Sequence, residues 1–169
     1  GSCETAKKIQ KNLSERKGEI IPPTAETGGL NFMIIDSSAL IEQVVDDSIE
    51  SGFNGAGQRC SALRILAIQD EVYDKTIKML SGATKKINIG LPNLINTDIG
   101  PVIDLEAKDK INNHINSFKS KVLAQAPLDR KYKGHFVQPT IIEIIDLKEI
   151  NKEIFGPVIH VYRYQADKI

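Results

Sequence analysis

Two kinds of apolar spacing alternate along this chain. Short continuous runs, Leu30–Ile35, Leu63–Gln69, Val122–Gln125 and Val158–Tyr164, have strand length. Between them lie longer stretches in which apolar residues return with helical period. These are Glu4–Leu13, carrying Ala6, Ile9 and Leu13; about Ala39 to Phe53, carrying Leu40, Val44, Val45 and Ile49; Asp70 to about Ala83, carrying Val72, Ile77 and Leu80; and Leu105–Lys121, carrying Ala107, Ile111, Ile115 and Phe118. Asp36-Ser37-Ser38 offers caps for the second helix, Asp70 caps the third, and Gly18 stops the first. Ile20–Thr24 reads as a short, Pro-rich strand leading to Glu26, and Phe136–Ile144 as an extended segment interrupted by Pro139. Alternating strands and helices predict an α/β fold, with a largely parallel sheet flanked by helices. The strand Val158–Tyr164 has only five residues after it and no helix to cover it, so the chain reads as a truncated fragment of a larger protein.

Composition narrows the function classes. The 169 residues suffice for one domain with a real core, and the 22 basic and 22 acidic residues cancel. No basic surplus points to nucleic acid and no charge block points to a membrane surface. No apolar run has the length of a membrane span, and the polar N-terminus gives no sign of a signal peptide. Cys3 and Cys60 make no disulfide framework, so both read as free thiols in a reducing compartment, the cytoplasm first among them. His114, His135 and His160 are scattered, and no Cys/His spacing suggests a metal site.

Three segments carry candidate chemistry. Gly55-Ala56-Gly57-Gln58-Arg59-Cys60-Ser61 places a thiol after a Gly-rich turn and before a buried strand. Such a thiol can act as a nucleophile if a cation lowers its pKa, and Arg59 is adjacent; the alternative is a buried structural cysteine. Glu26-Thr27-Gly28-Gly29 sets a carboxylate beside a turn whose backbone can approach a ligand, as a general base requires. A solvated strand-end Glu is the alternative there. Glu153-Ile154-Phe155-Gly156-Pro157 offers a carboxylate and an aromatic face that suit a ribose and a flat ring, or else a plain turn into the last strand.

Taken together and in this order, the three segments resemble the active-site signatures of the aldehyde dehydrogenase superfamily. The form Ala25-Glu26-Thr27-Gly28-Gly29, with Gln58-Arg59-Cys60-Ser61-Ala62-Leu63-Arg64 and Ile99-Gly100-Pro101-Val102-Ile103-Asp104, is closer to the proline utilization A branch. There, a Δ1-pyrroline-5-carboxylate (glutamate γ-semialdehyde) dehydrogenase module is joined to a flavin-dependent proline dehydrogenase. The resemblance implies the aldehyde dehydrogenase catalytic-domain type, with residues 26–169 as part of that domain. Residues 1–25 become the tail of a nucleotide-binding domain, or a tag and linker. It implies Cys60 as nucleophile, Glu26 as general base, and Arg59 and Ser61 as binders of the substrate carboxylate, against a surface ion pair for Arg59. It further implies Glu153, Phe155, Gly28 and Ser2 as contacts to NAD, with FAD confined to the absent proline dehydrogenase domain. Gly1-Ser2 matches the start of a nucleotide-contacting helix or is a tag scar. With its partner domains missing, the chain is expected to self-associate and not to turn over NAD. Another aldehyde dehydrogenase branch, a non-catalytic α/β interaction domain and a thiol hydrolase are the competing readings.

Overall fold

A computed structural model of the chain describes residues 1–129 and 131–168. Its strands are β1 (Asn31–Ile35), β2 (Leu63–Gln69), β3 (Val122–Gln125), β4 (Thr140–Ile144) and β5 (Val158–Tyr164). They form one sheet in the order β1-β2-β5-β4-β3. The first four in that order run parallel, and β3 pairs antiparallel with β4 at one edge. The α-helices among the described residues are α1 (Cys3–Glu15), α2 (Ile41–Phe53), α3 (Asp70–Thr84) and α4 (Leu105–Ser117). The fold is therefore α/β with a mostly parallel sheet and flanking helices, as the spacing predicts.

The continuity of the apolar runs follows from burial. A strand in the middle of a parallel sheet is covered on both faces, so it has no polar side to alternate. All seven positions of β2 are buried, and β5 is buried through its first four. Leu66 and Ile68 of β2 and Ile159 and Val161 of β5 join Phe53 of α2 and Leu80 of α3 in the main core. A smaller cluster, Ile65, Ile144 and Ile150, packs against Phe118 and Tyr162.

Several elements depart from the pattern. Residues 16–30 contain no strand, so Ile20–Thr24 is irregular and Glu26 lies in a loop rather than at a strand end. The two prolines there remove backbone donors, and Ile20 is almost fully exposed. Asp36 caps a turn instead of a helix: its carboxylate accepts from the Ser38 N–H and Oγ, and α2 begins later, at Ile41, after an exposed Leu40. The N-cap of α3 is Gln69, which leaves the Asp70 carboxylate in the first turn to pair with Arg163. The fourth helix ends at Ser117 and tightens into a single 3₁₀ turn, Lys119–Lys121. The extended segment before Ile144 becomes a strand only from Thr140, immediately after Pro139. Helix α1 forms as spaced, but none of its residues is buried. Exposed Phe32 and Ile34 on alternate positions of β1 leave further apolar surface.

One polar chain runs through the interior between β5 and α4. His160 Nδ1 lies 3.2 Å from the Arg64 carbonyl, and its Nε2 lies 2.8 Å from His114 Nε2. A carbonyl only accepts, so Nδ1 carries the proton. The neutral His160 Nε2 then accepts from the His114 N–H. Burial, and then the His114 ring, push the His160 pKa down from 6.5 to about 4; burial and Lys152 lower that of His114. The unfolded chain binds the His160 proton more readily between about 6.5 and about 4, so this contribution to stability is complete above the unfolded value and is lost as pH falls through that window. The difference in unfolding free energy between the wild type and His160→Gln, from urea titrations, is expected to shrink by on the order of 3 kcal/mol from neutral to that lower pH. A difference that stays constant would show that His160 titrates normally.

Candidate active site

Cys60 is held by its neighbours' backbone. Residues 54–57 form a short 3₁₀ turn in which Gly55, Ala56 and Gly57 all take positive φ. Gly57 passes so close to the segment before β5 that a Cβ built on it would collide with the Gly156 carbonyl. That approach needs a residue without a side chain. The turn then exposes Arg59, Cys60 and Ser61 before the chain enters β2. Asn31, the first residue of β1, fixes the exit: its Nδ2 donates at 2.8 Å to both the Cys60 and the Ala62 carbonyls. Gln58 ties the entrance to another loop, accepting from the Ile103 N–H at 2.8 Å.

Arg64 joins this loop to the Glu153–Gly156 segment. It sits on β2 with a side chain only 1% exposed. Its Nη2 donates to the Arg59 carbonyl at 3.1 Å and to Glu153 Oε1 at 2.9 Å, its Nε donates to the same Oε1 at 3.2 Å, and its Nη1 donates to the Gly156 carbonyl at 3.0 Å. The guanidinium carbon also lies 5.5 Å from the centroid of the half-exposed Phe155 ring. A charge this deep is tolerated because all of these acceptors surround it.

The Glu26–Gly29 segment closes the third side. Gly28 has φ +68, and its Cβ position is 3.8 Å from Glu153 Oε2 and 4.0 Å from Cys3 Sγ. The first turn of α1 rests here. Ser2 caps that helix by accepting from the Thr5 N–H, Gly1 donates to the Glu26 carbonyl at 2.9 Å, and Cys3 Sγ lies 3.2 Å from Thr27 Oγ1. The structure thus brings Ser2, Gly28, Glu153 and Phe155 to one region, with the Cys60 loop attached through Arg64. The Glu26 carboxylate is exposed on the neighbouring loop.

This order of loops is that of a known family. The whole described chain, residues 1–168, matches the aldehyde dehydrogenase family. The chain belongs to that family. It is 49% identical to the bifunctional protein PutA of Escherichia coli over its full length, and spans 14% of that protein. A 1-pyrroline-5-carboxylate dehydrogenase of Bacillus cytotoxicus is 35% identical over 80% of this chain, which covers 27% of it. Among solved structures, Bradyrhizobium japonicum proline utilization A superposes with a TM-score of 0.94 at 43% identity, over 99% of this chain and 17% of its own. Staphylococcus aureus betaine aldehyde dehydrogenase in complex with NAD+ superposes with a TM-score of 0.88 at 32% identity, over 99% of this chain and 34% of its own.

Two features of this aldehyde dehydrogenase segment change how its residues are read. Cys60 is exposed, which removes the alternative of a buried structural thiol. The Arg59 guanidinium lies at the end of α2, where Nη2 donates to the Glu50 and Ser51 carbonyls, so it caps that helix and forms no ion pair among the described residues. Arg64 and Asn31 are the residues that motif reasoning overlooks. Arg64 had a signal, since a charged residue inside a fully buried apolar run needs a partner. Asn31 had none, because its two acceptors come from a loop distant in sequence.

Gly57→Ala is expected to destabilise the protein by at least about 2 kcal/mol, from the left-handed backbone together with the collision at Gly156. Chemical denaturation measures it. A stability equal to wild type would show that the two loops are not in contact.

Proposed function

We propose that this chain is the part of an NAD-dependent L-glutamate γ-semialdehyde dehydrogenase that carries the nucleophile, and that it belongs to a longer, PutA-like polypeptide. The observation that carries this reading is the Arg64 junction, which holds the exposed Cys60 turn against the Glu153–Gly156 segment beside Gly28. The relatives named PutA and 1-pyrroline-5-carboxylate dehydrogenase supply the substrate class. In this reading residues 1–25 end a nucleotide-binding domain, residues 26–169 form part of a catalytic domain, and FAD belongs to a separate proline dehydrogenase domain. Its two free thiols suit the cytoplasm. Apolar side chains such as Phe32 and Ile34 are covered by other domains or by self-association.

The residues present fit the nucleotide. Glu153 Oε2 accepts no hydrogen bond among the described residues and can receive ribose hydroxyls, the exposed Phe155 ring can pack on a flat base, and the Ser2-capped start of α1 favours an anionic group. NAD, when bound, supplies the hydride acceptor that converts the thiohemiacetal into a thioester. The chain's own residues do the rest. Cys60 Sγ attacks the aldehyde carbon to form the thiohemiacetal. Glu26 takes a proton from the water that hydrolyses the thioester, which releases the carboxylate product and the thiol. Arg59 has Nε and Nη1 without acceptors among the described residues, so the guanidinium can bind the substrate α-carboxylate while Nη2 stays on α2. Ser61 adds a hydroxyl donor beside it.

The full-length protein tests this. It is expected to form NADH from glutamate γ-semialdehyde, and Cys60→Ala is expected to lose on the order of a thousandfold or more in kcat. Glu26→Gln should keep the first-turnover burst and slow the later turnovers. Equal activity on aldehydes without a carboxylate would move the chain to another aldehyde dehydrogenase branch. An enzyme indifferent to loss of Cys60 would overturn the proposal.

A further inference from the structure

We infer that Arg64 is a positioning residue for nucleotide binding: it fixes the Glu153 carboxylate so that Oε2 faces the nucleotide region, and fixes the Cys60 turn to the same point. The inference rests on the dehydrogenase reading above and deepens it.

The geometry is one-sided. Both Nε and Nη2 of Arg64 donate to one oxygen of Glu153, Oε1, at 3.2 and 2.9 Å. A bidentate fork would have used both oxygens. Here Oε1 is committed, and Oε2 is left on the side where Gly28 lies, with the Gly28 Cβ position 3.8 Å away. A free carboxylate would rotate about its last torsion and present either oxygen. Held by two donors on one oxygen, it presents one. The Glu153 side chain is itself only 14% exposed, so an acceptor aimed there is poorly hydrated and gains from a ligand hydroxyl.

The remaining donors of the same guanidinium extend the effect to the nucleophile. Nη2 also reaches the carbonyl of Arg59, the residue before Cys60, and Nη1 reaches the Gly156 carbonyl. The Arg64 carbonyl is anchored in turn by His160, so the strand under the side chain is held from its other face. Lysine cannot reproduce this, since one ammonium does not span acceptors arranged around a planar fork. The charge on Glu153 alone would be satisfied by either residue. The separate reach to Arg59 and Gly156 is what needs arginine.

The test uses the full-length protein and NAD as the probe. Arg64→Met would leave Glu153 half-buried without its partner and threatens folding. The informative variant is Arg64→Lys, which keeps the charge, compared with Glu153→Gln and with the double variant. Calorimetric titration is expected to show NAD binding weakened roughly tenfold in each single variant, as loss of a hydrogen bond to a charged group implies. The double variant is expected to bind no more weakly than the weaker single one, because both remove one interaction. Alkylation of Cys60 without nucleotide is expected to change rate in Arg64→Lys. NAD affinity in Arg64→Lys equal to wild type, or fold-losses that multiply in the double variant, would overturn the positioning role while leaving the dehydrogenase reading intact. A wild-type protein that binds no NAD would overturn both.

Discussion

A single guanidinium, closed off from water, sets the arrangement of everything else near Cys60. A buried arginine is costly unless its donors are met, and Arg64 places four of its five N–H groups on Glu153, Gly156 and Arg59, with a bond from each of its three nitrogens. Those partners come from two loops about ninety residues apart in sequence, each of which also sends an apolar residue, Ala56 and Ile154, to the main core. The cost of burying the charge therefore ties these loops together: separating either from Arg64 would strand a buried donor. Polar satisfaction at Arg64 acts together with the burial of Ala56 and Ile154 to hold the loops in register at this end of the sheet.

The rest of the fold provides the platform. β2 and β5 are adjacent and parallel at the centre, so the Cys60 turn, which enters β2, and the Glu153–Gly156 segment, which enters β5, emerge side by side at the same sheet end. Both loops lie at the amino ends of their strands, where the rigid sheet fixes the points from which they start. Gly57 removes the last obstacle by letting two backbones touch. On the opposite side of β2, His160 and His114 complete a polar path that begins at the Arg64 carbonyl. The conformation of one residue is thus constrained through both its side chain and its backbone.

Much of the fold was legible because the strands at issue are buried and the helices amphipathic. Leu63–Gln69, Val122–Gln125 and Val158–Tyr164 coincide with β2, β3 and β5, since a run of apolar residues has no other use for its length. Boundaries failed where side chains found other partners: Asp36 with Ser38, and Asp70 with Arg163. The loop holding Glu26 is not strand-linked, because the two prolines before it remove backbone donors and Ile20 is exposed, neither of which shows in the local apolar pattern. The motifs single out Cys60, Glu153 and Phe155 as candidates, while the contacts that join their segments are opaque in the sequence. Arg59 illustrates the gap. Its position beside Cys60 suggested a cation for the sulfur or for a substrate, whereas its Nη2 lies on the end of α2, a partner eight and nine residues back.

The measurement that bears most directly on the Arg64 junction is ¹⁵N NMR of the arginine side chains. A guanidinium held by acceptors on several edges exchanges its Nε proton slowly and rotates slowly about its terminal bonds. Arg64 is predicted to give a persistent Nε–H signal and separate Nη resonances at temperatures where exposed Arg16 gives one averaged, rapidly exchanging signal. An Arg64 spectrum averaged like that of Arg16 would mean that the guanidinium is not pinned, and that the loops around Cys60 and Glu153 are held by something else.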